Sequence, residues 1–360
     1  MKNLLIILIY ISLGVLCANC SKDNSPEPDE ETTNLKTYFP LISSDDWETV
    51  SLTELQWEES KLQPLLDFLE EKNTKSFMIL YKGRIAVEEY MNNHSNTTPW
   101  YWASAGKTLT TAITGIAQGE GLLNIDNKVS DYLGEGWTSA TLAKENLITC
   151  KNLLSMNSGL DDSNGDGISP ENLQYIADAG TRWAYHHVYV KLQDIVSEVA
   201  QQNWSTYFDA KLKNKIGMSG SWIATNDQSV YWSTTRSMAR FGLLVYADGT
   251  WENDQIIPMD YLKDATNTSQ NINEAYGYLW WLNGKSSYRL PGSQLEFDGD
   301  LIPNAPSDTF AALGKNDQKI YVVPSEELVI IRMGNSADGE NFALSTFDND
   351  LWEKINDLID

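Results

Sequence analysis

Residues 101–133 read YWASAGKTLTTAITGIAQGEGLLNIDNKVSDYL, and this stretch decides the interpretation of the whole chain. Its apolar residues recur every three or four positions from Ser104 to Gly121, which predicts a helix with one buried face. Ser104 and Lys107 open that helix, and side chains three positions apart on a helix lie on the same side. The pattern therefore predicts a serine hydroxyl beside a lysine amine at a helix N-terminus, where unpaired N–H groups favour negative charge.

A hydroxyl and an amine in this arrangement can act as a nucleophile and its base, because a neutral lysine can accept the proton of the serine. The motif Ser-x-x-Lys is short, however, and roughly one occurrence is expected by chance in a chain of this size. The alternative interpretation is structural: Ser104 caps the helix and Lys107 is a surface charge. The surrounding sequence decides between the two.

Further segments match landmarks of one enzyme family in the order that the family has them, at residues 121–133, 148–160, 233–251, 275–282 and 320–334. Together with Ser104 and Lys107, these segments resemble the serine β-lactamases and penicillin-binding-protein-like hydrolases, particularly the class C-type esterase and amidase branch. The resemblance extends over nearly the whole chain from about residue 50, and it is far more specific than the four-residue motif. It implies that Ser104 is a nucleophile and Lys107 its base.

The same resemblance implies a catalytic tyrosine in the helical portion of the chain. The family carries a Tyr-x-Asn motif, and the matching residues here are Tyr185, His186 and His187. Tyr185 would then share proton transfer with Lys107, and an adjacent ammonium would favour its anionic form. His187 replaces the Asn, so it is the expected substrate contact, with different hydrogen-bonding groups. For Tyr185 alone, an ordinary half-buried aromatic side chain is the alternative.

A third family element is a strand with the motif Lys-Thr-Gly, which this chain lacks. When Gly314 is aligned with the glycine of that motif, Ala312 stands at the lysine position, and both residues would line the substrate site. The resemblance also implies an oxyanion hole formed by the backbone N–H groups of Ser104 and Lys315. Because the family's lysine helps to bind the carboxylate of a β-lactam, Ala312 disfavours an antibiotic substrate. The alternative is an ordinary turn at the end of a strand.

The pattern of predicted elements indicates an α+β fold. Strand-like segments lie at both ends of the chain, as a hairpin at Ser76–Tyr90 and as two runs at Lys319–Val323 and Leu328–Met333. Helical periodicity dominates between them. We therefore expect an antiparallel sheet built from N- and C-terminal strands and flanked by helices, with a mostly helical subdomain inserted at about residues 108–270. The resemblance identifies this arrangement as the β-lactamase/transpeptidase-like fold, in a hydrolase domain that spans residues 46–360.

Residues 1–20, MKNLLIILIYISLGVLCANC, have the composition of a bacterial export signal. A positively charged start precedes the apolar run Leu4–Leu16, which is too short to span a bilayer comfortably. The signal ends at Cys20 in a sequence that resembles lipoprotein signals of Bacteroidetes, so we expect a lipid on Cys20 that anchors the protein to a bacterial membrane, on the periplasmic side or at the cell surface. Residues 21–45 begin with a polar, acidic segment and are expected to form a flexible tether. Plain secretion after cleavage near Ala18 is the alternative.

Charge and composition restrict the partners. The chain has 50 acidic and 26 basic residues, a net charge of −24, so it repels phosphate backbones and a nucleic-acid partner is not expected. Asp162–Gly167 matches the first half of a calcium loop, but Leu173 stands where a bidentate Glu is required, which favours an acidic loop without metal. The side chains of His186 and His187 diverge as neighbours and are not expected to share a metal. We therefore expect no metal and no cofactor.

The predicted function is a serine hydrolase that forms an acyl-enzyme on Ser104 and hydrolyses an ester or a small amide. A D-amino peptidase or carboxypeptidase-type amidase is an alternative within the family. A catalytically inactive, surface-anchored binding protein of the same fold is another, because His187 and Ala312 depart from the family pattern. A Ser-His-Asp hydrolase is disfavoured, since no histidine follows His187 in the chain.

Overall fold

The computed structural model describes residues 35–225, 228–339 and 344–360. The predicted export signal and Cys20 lie outside the described residues and stay predictions. None of the helices in these ranges is long and apolar enough to cross a membrane. The α-helices are α1 (Leu62–Glu71), α2 (Lys107–Gly119), α3 (Ser130–Leu133), α4 (Leu142–Glu145), α5 (Cys150–Leu154), α6 (Lys191–Ala200), α7 (Trp204–Lys211), α8 (Thr235–Tyr246), α9 (Met259–Ala265) and α10 (Thr346–Ile359).

The strands within the same ranges are β1 (Thr74–Tyr81), β2 (Arg84–Tyr90), β3 (Trp100–Tyr101), β4 (Ser221–Thr225), β5 (Gln228–Ser233), β6 (Thr250–Trp251), β7 (Asp254–Gln255), β8 (Trp281–Leu282), β9 (Ser287–Arg289), β10 (Glu296–Asp298), β11 (Phe310–Gly314), β12 (Gln318–Val323) and β13 (Leu328–Gly334). Six of them form one antiparallel sheet in the order β2-β1-β13-β12-β11-β8. The neighbours β1 and β13 come from opposite ends of the chain and pair from Thr74–Gly334 to Tyr81–Leu328. The predicted α+β fold, with its sheet built from N- and C-terminal strands, is confirmed.

Helices cover both faces of this sheet, because successive side chains of a strand point to opposite sides. On β12, Ile320 faces α8, since a Cβ atom added to Gly242 would lie 3.2 Å from the Ile320 side chain. The next residue, Tyr321, donates a hydrogen bond to Asp348 of α10 at 2.5 Å. Strands β12 and β13 are accordingly buried at every position. Burial on two faces explains why their sequences are mostly continuous apolar runs rather than alternating ones.

The hairpin predicted at Ser76–Tyr90 is present as β1 and β2. Lys82 and Gly83 connect the two strands with φ values of 46° and 81°, which is the left-handed pair that a two-residue type I′ turn requires. Glycine is required at position 83 for a second reason, because a Cβ atom there would lie 2.0 Å from the carbonyl oxygen of Tyr38. The turn is therefore shaped both by its own geometry and by the segment that packs against it.

The folded unit begins earlier than the predicted domain boundary. Residues 36–45, expected in the tether, belong to the same compact unit as the rest of the domain. The N–H of Tyr38 donates to the Lys82 carbonyl at 2.9 Å, and the buried guanidinium of Arg240 donates to the Ser44 carbonyl at 3.0 Å. A buried arginine needs hydrogen-bond acceptors, and this polar segment provides them, which composition alone does not reveal.

Helices α2 to α9 lie between residues 107 and 270, where the sequence predicted the helical subdomain. Two small sheets accompany these helices, with the strand orders β3-β5-β4 and β6-β7. In the first of them, Trp100 and Tyr101 of β3 pair with Ser233 and Trp232 of β5. This pairing joins the helical portion to the chain immediately before Ser104.

Candidate active site

Ser104 lies at a sharply turned junction between β3 and α2. A 3-10 helix spans Ala103–Gly106, and α2 follows it directly. Ala103 has a φ of 48°, in the left-handed region that alanine rarely adopts. Trp102 anchors the junction, because its backbone N–H donates to the Tyr231 carbonyl at 2.9 Å. Tertiary contacts thus hold the backbone beside Ser104 in a sparsely populated conformation, a feature that clusters at functional sites.

The amine of Lys107 contacts the hydroxyl of Ser104. The distance from Lys107 Nζ to Ser104 Oγ is 2.8 Å, and Lys107 is only 2% exposed. Burial lowers the pKa of Lys107 to about 7, although the charge of Asp166 opposes this effect. A large share of the lysine is therefore neutral near pH 7, and in that state the contact can reverse so that the serine hydroxyl donates to the nitrogen.

Tyr185 lies beside the same lysine, but it is not an anionic phenol. Lys107 Nζ lies 4.6 Å from the centroid of the Tyr185 ring, so the amine faces the ring rather than the hydroxyl. Burial raises the pKa of Tyr185 to about 12, and the Ser104 hydroxyl beside it opposes this effect. The expectation of a favoured phenolate is corrected: Tyr185 is an uncharged phenol at pH 7, because desolvation disfavours its anionic form.

An aromatic cluster fixes the position of Tyr185. Its ring stacks on Trp281 at a centroid distance of 5.7 Å and meets the edge of Tyr276 at 6.2 Å. Trp183 contacts Tyr185 at 6.3 Å, Tyr276 at 5.4 Å and Trp281 at 6.0 Å. Sequence reasoning assigned no role to these aromatic residues, because their convergence depends on segments that are far apart in the chain. Together they leave Tyr185 little freedom to move away from Lys107.

The end of β11 packs directly against the turn that carries Ser104. A Cβ atom on Gly314 would lie 2.4 Å from the carbonyl oxygen of Trp102 and 3.0 Å from the backbone nitrogen of Ala105, so this close approach requires glycine. Lys315 follows at the exposed end of the strand. Ala312 is 1% exposed and belongs to the core, which differs from the expectation that it lines the substrate site.

A buried arginine makes hydrogen bonds to the turn that follows Gly314. Arg332 is fully buried, and its guanidinium donates to the carbonyls of Asn316 and Asp317 at 3.0 and 2.9 Å. The Asn316 side chain in turn donates to the Tyr101 hydroxyl at 2.7 Å. These bonds connect the β11–β12 turn to the strand that precedes the serine, so the two backbone segments expected to form the oxyanion hole are tied together.

Comparison with known proteins identifies the family. The family model described as Beta-lactamase matches residues 69–351, which is well over half of the chain. The chain belongs to the beta-lactamase family. Members of this family are generally serine hydrolases. The family recognised from the motifs around Ser104 and Lys107 is thereby confirmed.

Solved structures with the same fold agree with this assignment. A candidate 6-aminohexanoate-dimer hydrolase of Bacillus anthracis is 17% identical, with 87% of each chain covered and a TM-score of 0.66. A candidate beta-lactamase of Bacteroides dorei is 14% identical over 84% of this chain and 99% of its own, with a TM-score of 0.66. A penicillin-binding protein of Bacillus halodurans is 14% identical over 81% of this chain and 99% of its own, with a TM-score of 0.59. Such low identities establish the fold alone, and no curated protein matches the sequence significantly.

In this member of the beta-lactamase family, His187 is paired with an aspartate. Its Nδ1 atom lies 2.8 Å from Asp166 Oδ1. Burial, together with the nearby Lys107, lowers the pKa of His187 to about 4, and Asp166 opposes both effects. His187 is therefore neutral at pH 7 and lies within electrostatic reach of the lysine that contacts Ser104. The structure thus brings His187 to the site, as the resemblance implied, and adds Asp166, which sequence reasoning did not include.

Asp166 belongs to the loop Asp162–Gly167, whose sequence matches the first half of a calcium loop. Its first aspartate, Asp162, pairs with Arg182 at 2.6 Å, and Asp166 pairs with His187. The acidic side chains are thus directed to groups of the protein itself. In the described part of the chain, no three His, Cys, Asp or Glu side chains are grouped so that they could hold a metal ion. The loop forms part of the site beside Lys107, a role for which the sequence carried no signal beyond its acidity.

Proposed function

We propose that this protein is a serine hydrolase that forms an acyl-enzyme on Ser104. The observation that carries the proposal is the 2.8 Å contact between Lys107 Nζ and Ser104 Oγ, made by a lysine that is almost completely buried. Because burial lowers the pKa of Lys107 to about 7, a neutral amine is available at physiological pH. A neutral amine next to a serine hydroxyl can accept its proton as the hydroxyl attacks.

The proposed reaction begins with attack of Ser104 Oγ on the carbonyl carbon of an ester or small amide, while the serine proton passes to Lys107. The carbonyl oxygen becomes negatively charged, and the backbone N–H groups of Ser104 and Lys315 are the proposed donors to it. When the bond to the leaving group breaks, the leaving group takes a proton from the Tyr185 hydroxyl, which recovers one from Lys107. Water then attacks the acyl carbon and gives a proton to Lys107, and Lys107 passes that proton to Ser104 Oγ as the bond between the acyl group and the serine breaks, which releases the acid and restores the free enzyme.

Esters and small amides are the proposed substrates rather than β-lactams. The position that carries a carboxylate-binding lysine in penicillin-recognising enzymes corresponds to Ala312, which is buried and offers no charge. The similarity to a protein named as a 6-aminohexanoate-dimer hydrolase supports the inclusion of small amides among the substrates to be tested. An ester and amide panel with one cephalosporin would identify the preferred bond.

A fluorophosphonate probe tests the nucleophile. We expect the purified protein to be labelled on Ser104, and the Ser104→Ala variant to lose the label. Ser60→Ala is the control, because Ser60 is exposed on the surface and its hydroxyl bonds only to Glu58; this variant should label like the wild type. Equal labelling of the wild type and Ser104→Ala would overturn the proposal, and a folded protein that does not label at all would favour the inactive binding protein.

We also propose that the protein is exported and anchored to a bacterial membrane through a lipid on Cys20. The support is the sequence of residues 1–20 alone, and the anchor would present an ester or amide hydrolase outside the cytoplasm. Mass spectrometry of the mature N-terminus tests this. A diacylated Cys20 is expected, and an unmodified start near Asn19 or Ser21 would contradict it.

A further inference from the structure

The ring of Tyr189 lies between His187, which pairs with Asp166, and the amine of Lys107. The ring centroids of His187 and Tyr189 are 6.2 Å apart, and Lys107 Nζ lies 4.8 Å from the centroid of the same Tyr189 ring. The His187 side chain is 21% exposed and that of Asp166 is 74% exposed. The pair is therefore accessible to solvent at a place close to Ser104 and Lys107, as a substrate contact must be.

The hydrogen bond to Asp166 determines what His187 can offer to a substrate. An ionised carboxylate only accepts hydrogen bonds, so we assign the proton of the neutral His187 ring to Nδ1, which lies 2.8 Å from Asp166 Oδ1. In a neutral imidazole the other nitrogen is then an acceptor. In the described parts of the chain, no residue makes a hydrogen bond to Nε2 of His187. An asparagine at this position, as in the family motif, would also offer N–H donors, and His187 offers an acceptor alone.

The charged groups around His187 Nε2 also favour a positively charged group on the substrate. Lys107 is engaged by Ser104 and is largely neutral, and Arg182 is paired with Asp162. Position 312, where a cation would stand in penicillin-recognising enzymes, is an alanine. The exposed carboxylate of Asp166 is thus not matched by a free cation among these groups, and it gives this side of the site a negative potential.

We propose that Asp166 and His187 form an acceptor wall that selects substrates with an ammonium or N–H donor next to the scissile carbonyl and disfavours substrates with a carboxylate there. The inference rests on the proposed function, because it assigns the substrate class of the same site. His187 Nε2 accepts a hydrogen bond from the substrate nitrogen, and Asp166 both fixes the imidazole and attracts the positive charge. Small amino-acyl amides and esters have this chemistry, and β-lactams with their carboxylate do not.

Three boronic acids test the selection, because they add reversibly to a serine nucleophile and slow its labelling by a fluorophosphonate. 1-Aminoethylboronic acid carries the ammonium, propan-2-ylboronic acid is its neutral isostere, and 2-carboxyethylboronic acid carries a carboxylate. At pH 7.5 the wild type should be protected by the ammonium compound at a concentration at least about fivefold lower than by the neutral one, as expected for one partly exposed ionic contact. The carboxylate compound should protect least.

The variants separate the wall from the rest of the site. Asp166→Asn should reduce the ratio between the ammonium and neutral compounds by about fivefold, and His187→Asn should reduce it as well by replacing an acceptor with an amide that also donates. Asp254→Asn is the control, since it removes one negative charge from an exposed strand and should leave the ratio unchanged. An unchanged ratio in Asp166→Asn, or protection by the carboxylate compound that equals protection by the ammonium compound, would overturn the inference.

A second measurement keeps the inference independent of turnover. In the Ser104→Ala variant, proton NMR titrations should show tighter binding of alaninamide than of isobutyramide, its neutral isostere, and Asp166→Asn should remove the difference. Loss of labelling of the wild type would contradict the proposed function, whereas labelling without any preference for the ammonium in either measurement would contradict only the acceptor wall.

Discussion

Tyr185 and Tyr189 present their rings to one atom. Lys107 Nζ lies 4.6 Å from the centroid of the first ring and 4.8 Å from that of the second. Aromatic faces attract a cation most strongly where water is excluded. The two rings therefore stabilise the protonated amine that proton transfer from Ser104 would create, at a position where burial otherwise disfavours charge.

Lys107 is expected to lower stability while it supports activity. Lys107→Met should reduce kcat/KM by about 10²–10⁴-fold, the range for loss of a general base. It should also raise the free energy of unfolding by roughly 1–3 kcal/mol, because an apolar side chain needs no deprotonation when it is buried.

The stability of the wild type should depend on pH through the same lysine. The folded pKa of about 7 lies below the unfolded value of 10.5, so the unfolded chain binds more protons between these pH values. The lysine's contribution to stability therefore rises with pH across that window, and the variant should lack this rise. Urea unfolding at pH 7 and pH 9 measures the free energy of unfolding and its change with pH. A Lys107→Met variant that is less stable than the wild type at pH 7 would contradict the prediction.

The pH profile of activity should report the same lysine. Because the neutral amine is the proposed base, kcat/KM should rise with pH to a plateau with a midpoint near 7. Tyr185, with a pKa of about 12, should cause no decline below pH 10. Since the charge of Asp166 raises the pKa of Lys107, Asp166→Asn should move the midpoint to lower pH. A midpoint that stays in place, or moves upward, would contradict the assignment.

The two tyrosines beside Lys107 should respond differently to loss of the hydroxyl. Tyr185→Phe should reduce kcat by about 10²-fold, because the proposed proton donor to the leaving group is lost. Tyr189→Phe keeps the same ring against the lysine and should change kcat by less than about threefold. The effect of Tyr185→Phe should shrink with a 4-nitrophenyl ester, whose leaving group needs no proton. Equal losses in the two variants would show that the ring, and not the Tyr185 hydroxyl, is what matters.

Gly314 should be intolerant of a single methyl group. In Gly314→Ala the Cβ atom would lie 2.4 Å from the Trp102 carbonyl oxygen, so either β11 or the Ser104 turn must shift. We expect kcat/KM to fall by about 10–100-fold through loss of oxyanion contacts. Gly106→Ala is the matched control, because its Cβ would meet its nearest neighbours at an ordinary 3.8 Å. If both variants retain full activity, the close packing of Gly314 has no catalytic role.

The local part of the site could be predicted because it depends on short separations in the chain. Ser104 and Lys107 are three residues apart, and one helical turn brings such side chains together in any fold. The hairpin at Ser76–Tyr90 was predicted for a similar reason, since its two strands are joined by a short turn, Lys82–Gly83, that depends on its own residues. The 3-10 form of the turn at Ala103–Gly106 could not be predicted, because it results from contacts of Trp102 with the distant strand β5.

The role of the loop at Asp162–Gly167, in contrast, could not be predicted from the local sequence. Its spacing of oxygens predicted only a calcium loop or an acidic surface segment. In the structure Asp162 pairs with Arg182, and Asp166 pairs with His187. Nothing in the local sequence specifies this partner, so a loop that composition describes as solvated becomes part of the site.

The sequence by itself was sufficient for the family and the α+β architecture, and it supplied the candidate serine, lysine and tyrosine, because ordered motifs and their spacing can be recognised without a structure. Only the tertiary structure decided the protonation states. Lys107 is largely neutral and Tyr185 is an uncharged phenol at pH 7 since both are removed from water, and desolvation depends on everything that packs around a group rather than on its neighbours in the chain. Only the folded chain, likewise, brings Asp166 to His187, the contact on which the proposed acceptor wall depends.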